Sequence, residues 1–228
     1  MLKGIAAALV GSRNPESQLF GRAFARGSNR RQLALTYDDG PHERFTPELL
    51  EVLAKHDVRA TFFMLGHNVA RHPKVAASVA GEGHVVGNHS FTHPNLVFVS
   101  PNQLTLQIAA CHQALQDAVG PHSNLFRPPH GARLPHILRQ VRTLNFEPVM
   151  WSATAWDWNE RTASIIESTV TKQISGGELI MLHDGYHLLA PIDRSATVAA
   201  TDRLIRRYKE QGLEFVTVPQ MLQSTGGH

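Results

Sequence analysis

Two adjacent aspartates, Asp38 and Asp39, follow the apolar run that ends at Tyr37. Asp-Asp-Gly-Pro is also favourable turn chemistry, so a purely structural role is the alternative interpretation. Two carboxylates held side by side repel one another and need a cation or a strong hydrogen-bond donor nearby. The pair therefore indicates a site in which one aspartate binds a metal ion and its neighbour takes a proton from water.

A histidine pair with i, i+4 spacing, His89 and His93, is the second candidate. On one helical turn such side chains point the same way, and imidazole nitrogens are ligands of divalent metals. The chain has 14 histidines, so the spacing also arises by chance and is weak by itself. Together with Asp39, the pair forms a set of two histidines and one carboxylate. Such a set leaves coordination positions open for water and substrate.

Three further polar residues, Arg127, Asp157 and His183, have sequence neighbours that are unusual for a polar side chain. Arg127 precedes a proline-stiffened loop and is either a surface residue or a partner for a carboxylate. Asp157 lies between Trp156 and Trp158, where a carboxylate needs a partner because its neighbours are apolar. The tryptophans belong either to the core or to a platform for sugar stacking. His183 follows a buried apolar run, and a histidine there is either part of a capped strand end or a proton donor.

Alternating strands and helices must position these side chains. The apolar patterns predict strands at 33–37, 59–65, 84–87, 124–126, 147–151, 178–182 and 214–218. They predict helices at 47–56, 73–80, 102–119, 134–144, 162–174 and 197–211, the first with Thr46 as its N-cap.

About seven β/α units with parallel strands result, in an α/β chain without a dinucleotide-binding fingerprint. This favours a distorted (β/α) barrel over an open sheet. We expect one barrel domain over residues 31–222, with a lead-in at 1–30 and a tail at 223–228. The polar candidates fall just after predicted strands. In a barrel they converge on one face, because loops after strand ends build that face.

Composition narrows the function classes. The net charge of +3 over 228 residues is small, and the basic residues are scattered, which argues against a nucleic-acid surface. Cys111 is the only cysteine, so a disulfide within the chain and a thiolate zinc cluster are excluded. We expect a monomer without a membrane span. The apolar run at 5–10 lacks a clean cleavage pattern, so a cytoplasmic location is favoured over export.

Taken together, these residues resemble the polysaccharide deacetylases of carbohydrate esterase family four. Five motifs of that family occur in order: Thr36-Tyr37-Asp38-Asp39-Gly40-Pro41, His89-Ser90-Phe91-Thr92-His93, Arg127-Pro128-Pro129-His130-Gly131, Asp157-Trp158 and Met181-Leu182-His183. The resemblance implies a distorted (β/α) barrel and a divalent metal, usually zinc, with cobalt or nickel as alternatives. It also implies removal of acetyl groups from an N-acetylated oligosaccharide or polysaccharide, such as chitooligosaccharide or peptidoglycan.

The resemblance also implies a role for each residue. Asp39, His89 and His93 would be the metal ligands. The catalytic residues would be Asp38 as general base, His183 as general acid, Arg127 to keep Asp38 ionised, Asp157 to orient His183, and His130 through its backbone N–H. Substrate contacts would come from Tyr37, Pro129, Trp156 and Trp158.

The chain departs from the family pattern at three positions. Thr154 stands where an aspartate is usual, His130 where a tyrosine is usual, and Tyr37 where a phenylalanine is usual. We expect these changes to alter substrate fit and to leave the catalytic roles intact. The alternatives are an acetylxylan O-deacetylase, a small-amide hydrolase of the same fold, and a non-enzymatic carbohydrate-binding module. The complete set of acid, base and ligands argues against the last two.

Overall fold

A computed structural model describes residues 14–187 and 192–225. The predicted start of the lead-in, with the apolar run at 5–10, and the last three residues of the predicted tail lie outside these ranges. The strands in the described part are β1 (Gln32–Asp38), β2 (Thr61–Met64), β3 (Val85–Asn88), β4 (Leu125–Phe126), β5 (Glu147–Pro148), β6 (Ala153–Thr154), β7 (Leu179–His183) and β8 (Glu214–Phe215).

The helices in the same ranges cover the outside of the strands. They are α1 (Phe45–Lys55), α2 (Gly66–Arg71), α3 (Pro73–Gly81), α4 (Pro101–Val119), α5 (Pro135–Thr143), α6 (Ala163–Thr171), α7 (Ser195–Glu210) and α8 (Val218–Thr225). None of these helices is long and apolar enough to span a bilayer.

The strands form one parallel sheet in the order β5-β4-β3-β2-β1-β7-β6, and β8 pairs with the first residues of β1. Each strand pair in the described residues is parallel, as helical crossovers require. No pairing joins β5 to β6 within the described ranges, so the sheet curls without closing. The predicted distorted (β/α) barrel with about seven parallel strands is confirmed.

The central strand β1 is buried on both faces. Leu33, Leu35 and Tyr37 pack outward in one apolar cluster with side chains of α1 and α7, such as Leu53 and Leu204. The intervening residues point to the inside of the sheet, because successive side chains of a strand alternate between its faces. A polar residue at the inner face of this strand is therefore surrounded by other strands, away from water.

The lead-in is attached to the barrel. The N–H of Phe24 donates to the Pro148 carbonyl at 2.9 Å, and Arg26 pairs with the buried Glu178. Arg26 also lies 2.6 Å from Glu16, so one guanidinium bridges two carboxylates. The lead-in is therefore held to the barrel by a main-chain and a side-chain contact.

Several predicted boundaries differ from the structure. The helix predicted to start after Thr46 begins at Phe45, with Arg44 at the N-cap, and the Thr46 hydroxyl turns inward instead. The last strand ends at Phe215, and α8 then extends to Thr225, into the predicted tail. Neither β6 nor α2 was predicted, because elements of two and six residues are too short to show a periodic pattern.

Candidate active site

The predicted polar residues meet at the carboxyl ends of the strands. Asp38 and His183 are the last residues of β1 and β7, and they are register partners in that parallel pair. His89 and Arg127 directly follow β3 and β4, and Asp157 follows β6 by three residues. The sheet therefore brings together side chains that are far apart in the sequence.

The buried side chains of Asp39, His89 and His93 converge on one point. Oδ1 of Asp39 lies 3.5 Å from Nε2 of His89 and 3.4 Å from Nε2 of His93. No group in the described part of the chain donates a hydrogen bond to this oxygen. A buried carboxylate oxygen that faces two imidazole nitrogens fits a divalent cation, because histidine and carboxylate are ligands of such ions.

Both histidines of this triad are held in their neutral form. Burial lowers the pKa of His89, and it lowers the pKa of His93 to about 2. Nδ1 of His89 lies 2.8 Å from the Arg127 carbonyl and donates a hydrogen bond to it. The Nε2 lone pair is thereby directed at Asp39, the usual arrangement for a ligating histidine.

Asp39 stays ionised although it is buried. Burial alone would raise its pKa, but the hydrogen bond with His187 and the positive charge of His183 outweigh this effect and lower it. Its backbone is left-handed, with φ of 69°, and its carbonyl accepts a hydrogen bond from the Asn68 side chain at 2.7 Å. The first residues of α2 therefore hold the turn that carries this ligand.

Residues 89–93 do not form the helical turn that the spacing suggested. They form an irregular loop, with positive φ at Ser90 (69°) and His93 (60°). The Ser90 N–H donates to the Asn88 side chain at 2.9 Å, and the His93 N–H donates to the Ser90 hydroxyl at 3.1 Å. Short polar side chains thus fix the loop, and both imidazoles still reach Asp39.

Arg127 is fully buried, so the surface interpretation of this residue is wrong. Its Nη1 donates to Oδ1 of Asp38 at 2.7 Å and to the Thr36 hydroxyl at 2.8 Å. Its Nη2 donates to the Met150 carbonyl at 2.8 Å, and the guanidinium lies 4.1 Å from the centre of the Phe63 ring. These contacts fix the rotamer of Asp38 and supply a positive charge that balances its carboxylate.

Asp157 and His183 form a second buried pair. Oδ1 of Asp157 lies 2.8 Å from Nδ1 of His183, and Oδ2 accepts the His183 backbone N–H at 2.8 Å. Burial alone would lower the pKa of His183, but the charge and the hydrogen bond of Asp157 outweigh it, so the pKa is raised. The histidine therefore keeps its proton at a higher pH than a free imidazole does, as a proton donor requires.

Sequence reasoning missed the residues that hold Asp157 in place. Arg194, which is 1% exposed, donates from Nη1 to the Asp157 carbonyl at 2.6 Å. The Thr197 hydroxyl donates to Oδ2 of Asp157 at 2.9 Å. Both lie at the start of α7, distant from the motifs in sequence, so no local pattern marked them.

Sequence reasoning also missed two site residues that follow β7, His187 and Asp184. Nδ1 of His187 lies 2.9 Å from Oδ2 of Asp39. His89 and His93 face the other oxygen of this carboxylate, Oδ1. Asp184 is buried and accepts a hydrogen bond from the Thr46 hydroxyl at 2.6 Å. Burial raises the pKa of Asp184 to about 7. This carboxyl group therefore titrates near neutral pH, close to Asp39.

Asp38, His183 and the three residues Asp39, His89 and His93 line one cavity of about 430 Å³, a size typical of small-ligand sites. Its walls are formed by Asp38, Asp39, His89, His93, Pro128, His130, Gly131, Trp151, Trp158, Met181, His183, Tyr186, His187, Ile192 and Arg194. The ring of Trp158 is nearly perpendicular to that of His183, with 5.5 Å between ring centres, and the exposed Trp156 lies beside it at 5.0 Å. The two indoles form an aromatic rim next to His183.

Of the four predicted substrate contacts, Trp158 lines the cavity, whereas Tyr37, Pro129 and Trp156 do not. Tyr37 is fully buried, stacks on Phe62, and shares a hydrogen bond of 3.0 Å with Thr201, so its side chain points away from the cavity. The reason is strand alternation, since its neighbour Asp38 points inward. Both Pro128 and Pro129 are buried, and Pro128 rather than Pro129 lines the cavity.

His130 lies in a short 3₁₀ turn, Pro129–Gly131, with φ of 56°. Its side chain is exposed, and its ring centre lies 4.4 Å from that of His93. Among the hydrogen bonds of the described residues, none uses the His130 N–H as a donor. This backbone donor at the cavity wall is therefore available to a ligand.

Comparison with known proteins gives a consistent result. The sequence model of the polysaccharide deacetylase family matches residues 25–149. The chain is 37% identical over 205 residues to a peptidoglycan-N-acetylglucosamine deacetylase of Bacillus cereus, covering 89% of this chain and 72% of that protein. It is 30% identical to the peptidoglycan-N-acetylmuramic acid deacetylase PdaA of Bacillus subtilis, with coverage of 88% and 75%. A chitooligosaccharide deacetylase of Azorhizobium caulinodans is 32% identical, with coverage of 73% and 80%.

Solved structures share the architecture. The peptidoglycan N-acetylglucosamine deacetylase Bc1960 superposes with a TM-score of 0.82 at 36% identity, over 90% of this chain and 94% of that one. A pseudoenzyme of carbohydrate esterase family four from Bacillus anthracis has the same TM-score at 26% identity, over 89% and 69%. Because a pseudoenzyme shares the fold, the arrangement of the site residues matters more to activity than the backbone does.

Proposed function

The chain belongs to the polysaccharide deacetylase family, and we propose that it removes N-acetyl groups from N-acetylglucosamine residues of peptidoglycan or chitooligosaccharide. Two relatives that cover most of the chain are named for these two polymers. N-Acetylglucosamine is the sugar that both polymers contain. The proposed reaction is a hydrolysis that releases acetate and leaves a free amino group on the sugar.

The observation that carries this proposal is the pairing of Asp38 with His183 across β1 and β7. Each has its own buried partner, Arg127 for the carboxylate and Asp157 for the imidazole. Hydrolysis of an amide needs a base for the attacking water and an acid for the departing nitrogen. A base and an acid with separate partners on neighbouring strands meet both needs in one cavity.

We further propose that Asp39, His89 and His93 hold a divalent ion, with zinc as the first candidate and cobalt or nickel as alternatives. The proposal is supported by the unpartnered Oδ1 of Asp39 and by the two neutral imidazoles that face it. Such an ion supplies positive charge that polarises a carbonyl and lowers the pKa of water from about 15.7 towards about 7.

The protein's own residues carry the proton transfers in this scheme. Asp38 takes a proton from the attacking water, whose oxygen bonds to the acetyl carbon. The His130 N–H donates to the carbonyl oxygen as negative charge grows there. Protonated His183 gives its proton to the amide nitrogen as the carbon–nitrogen bond breaks. Asp157 occupies the Nδ1 side of His183, so the ring works through Nε2.

The test is acetate release from a panel of substrates, with Asp38→Asn as the matched inactive control. The panel contains N-acetylglucosamine oligomers, peptidoglycan, a glycan acetylated only on muramic acid, acetylxylan and a small aliphatic amide. We expect release from the first two substrates by the wild type and a strong loss in the control. Release confined to muramic acid, to acetylxylan or to the small amide would overturn the proposed substrate class.

A further inference from the structure

Three histidines stand together at the mouth of the cavity: His93, His130 and His187. One ring nitrogen from each lies within 4.8 Å of those of the other two. His130 and His187 are exposed, whereas His93 is buried and also belongs to the triad with Asp39 and His89. The chain therefore has a second group of candidate ligands that shares one residue with the first.

The spacing of these rings suits a metal ion. The ring centre of His93 lies 3.8 Å from that of His187 and 4.4 Å from that of His130, and the centres of His130 and His187 are 5.6 Å apart. Nitrogens around a tetrahedral zinc ion, each about 2.1 Å from it, are about 3.4 Å apart. The ring nitrogens of the three histidines, within 4.8 Å of one another, are near this spacing, and a movement of the two exposed side chains would be needed to reach it.

The ligand type of these three histidines determines which metal ions the group favours. It consists of imidazoles only, which favour zinc, copper, nickel and cobalt over magnesium and calcium. It lacks the carboxylate that Asp39 contributes to the first triad, so an ion here gains less from electrostatic attraction. The mouth group is therefore the weaker of the two.

We propose that His130 and His187, with His93 as the shared ligand, form a second and weaker site for a zinc-type ion whose occupation inhibits the enzyme. An ion held there lies across the mouth, because both exposed histidines line the cavity. It also draws on His93, whose Nε2 faces Asp39 while its Nδ1 has no hydrogen-bond partner among the described residues, so the two ions would share one imidazole ring and repel one another. The inhibition rests on the proposed deacetylase function, whereas the second binding event does not.

Another histidine pair must be removed before the test. Nδ1 of His112 lies 2.9 Å from Nε2 of His122 on the surface, and two neighbouring nitrogens there would add their own weak zinc binding. All proteins compared should therefore carry His112→Ala and no histidine tag. Within that background, His187→Ala is the test variant, because His187 is exposed and its removal leaves no cavity in the core.

Zinc binding is measured by equilibrium dialysis on metal-free protein, and acetate release is measured over the same range of free zinc. We expect two binding steps in the reference protein, with activity rising on the first step and falling on the second. His187→Ala should lose the second step and the inhibition together. The zinc-binding isotherm needs no substrate, so it tests whether the second metal site exists even if the protein has no deacetylase activity.

Three results would overturn the proposal. One is a single binding step in the reference protein. Another is a second step that survives His187→Ala. The third is a weakening of the tight step alone by roughly 10- to 100-fold, which is the effect expected if His187 only orients the carboxylate of Asp39.

Discussion

Asp157 holds His183 with both of its carboxylate oxygens. Oδ1 contacts ring nitrogen Nδ1, and Oδ2 accepts the backbone N–H of the same residue, each at 2.8 Å. One aspartate thus fixes both the position of the main chain and the orientation of the ring. Because its negative charge also favours the imidazolium, the same contact sets the pH range in which His183 can donate a proton.

Asp157→Asn should shift the alkaline limb of the activity profile to lower pH. The raised pKa of His183 means that its acid form is present below that pKa and is lost as the pH rises through it. Without the charge of Asp157, burial lowers the pKa and the loss begins earlier. The measurement is kcat/KM against pH for the wild type and the variant. An unchanged alkaline limb would show that another group sets it.

His183→Ala should reduce turnover on N-acetylated sugars by roughly 10²- to 10⁴-fold, the range expected for a lost proton donor. Its metal content should equal that of the wild type, because His183 lies outside the Asp39 triad. Turnover and bound metal are measured on the same preparation. A parallel loss of metal would reassign His183 as a ligand.

Asp38→Asn and Asp39→Asn should separate the roles of the two neighbouring acids. Asparagine is nearly isosteric with aspartate but cannot take a proton from water, so Asp38→Asn should lose roughly 10²- to 10⁴-fold in turnover and keep its metal. Asp39→Asn replaces a charged ligand with a neutral one, so it should bind metal weakly and partly recover at high added metal.

Bound metal and turnover are measured on both aspartate variants, and on the wild type after chelation and after addition of zinc or cobalt. Chelation should abolish wild-type activity, and added metal should restore it. If Asp38→Asn empties the site while Asp39→Asn stays loaded and inactive, the two roles are reversed. Full turnover of metal-free wild type would exclude the metal-dependent mechanism.

Tyr37→Phe should change stability and leave kcat and KM unchanged. The hydroxyl is buried and bonded only to Thr201 among the described residues, so its removal should cost about 0.5–1.5 kcal/mol in the free energy of unfolding. Denaturant unfolding and acetate release are measured on the same variant. A rise in KM with unchanged stability would restore Tyr37 as a substrate contact.

Trp158→Ala should raise KM for an oligosaccharide roughly two- to tenfold, the range for loss of one aromatic contact. Trp158 lines the cavity and faces His183, whereas Trp156 is 46% exposed beside it and does not line the cavity. Trp156→Ala is therefore the matched control and should have a smaller effect. An equal rise in KM for the two variants would place the sugar across both indoles.

The fold and the main site residues followed from local features of the sequence. Apolar runs of strand and helix length, separated by glycine and proline, predicted the parallel barrel. Because strand ends face the same way in a parallel sheet, residues after those runs, such as Asp38 and His183, were expected on one face. Strand alternation also explains why the Tyr37 side chain points away from the cavity, since a residue next to an inward aspartate points outward.

Contacts between distant segments were decided by the tertiary structure alone. The positions of Arg194 and Thr197 against Asp157 depend on how α7 packs against α1 and α6, and the contact of His187 with Asp39 depends on the path of the chain after β7. No local pattern encodes such pairs, because a buried charge selects its partner by the distance and the dielectric that packing creates. Sequence spacing therefore identified the candidate groups of the site, and only the packing of the barrel determined which of these groups contact one another.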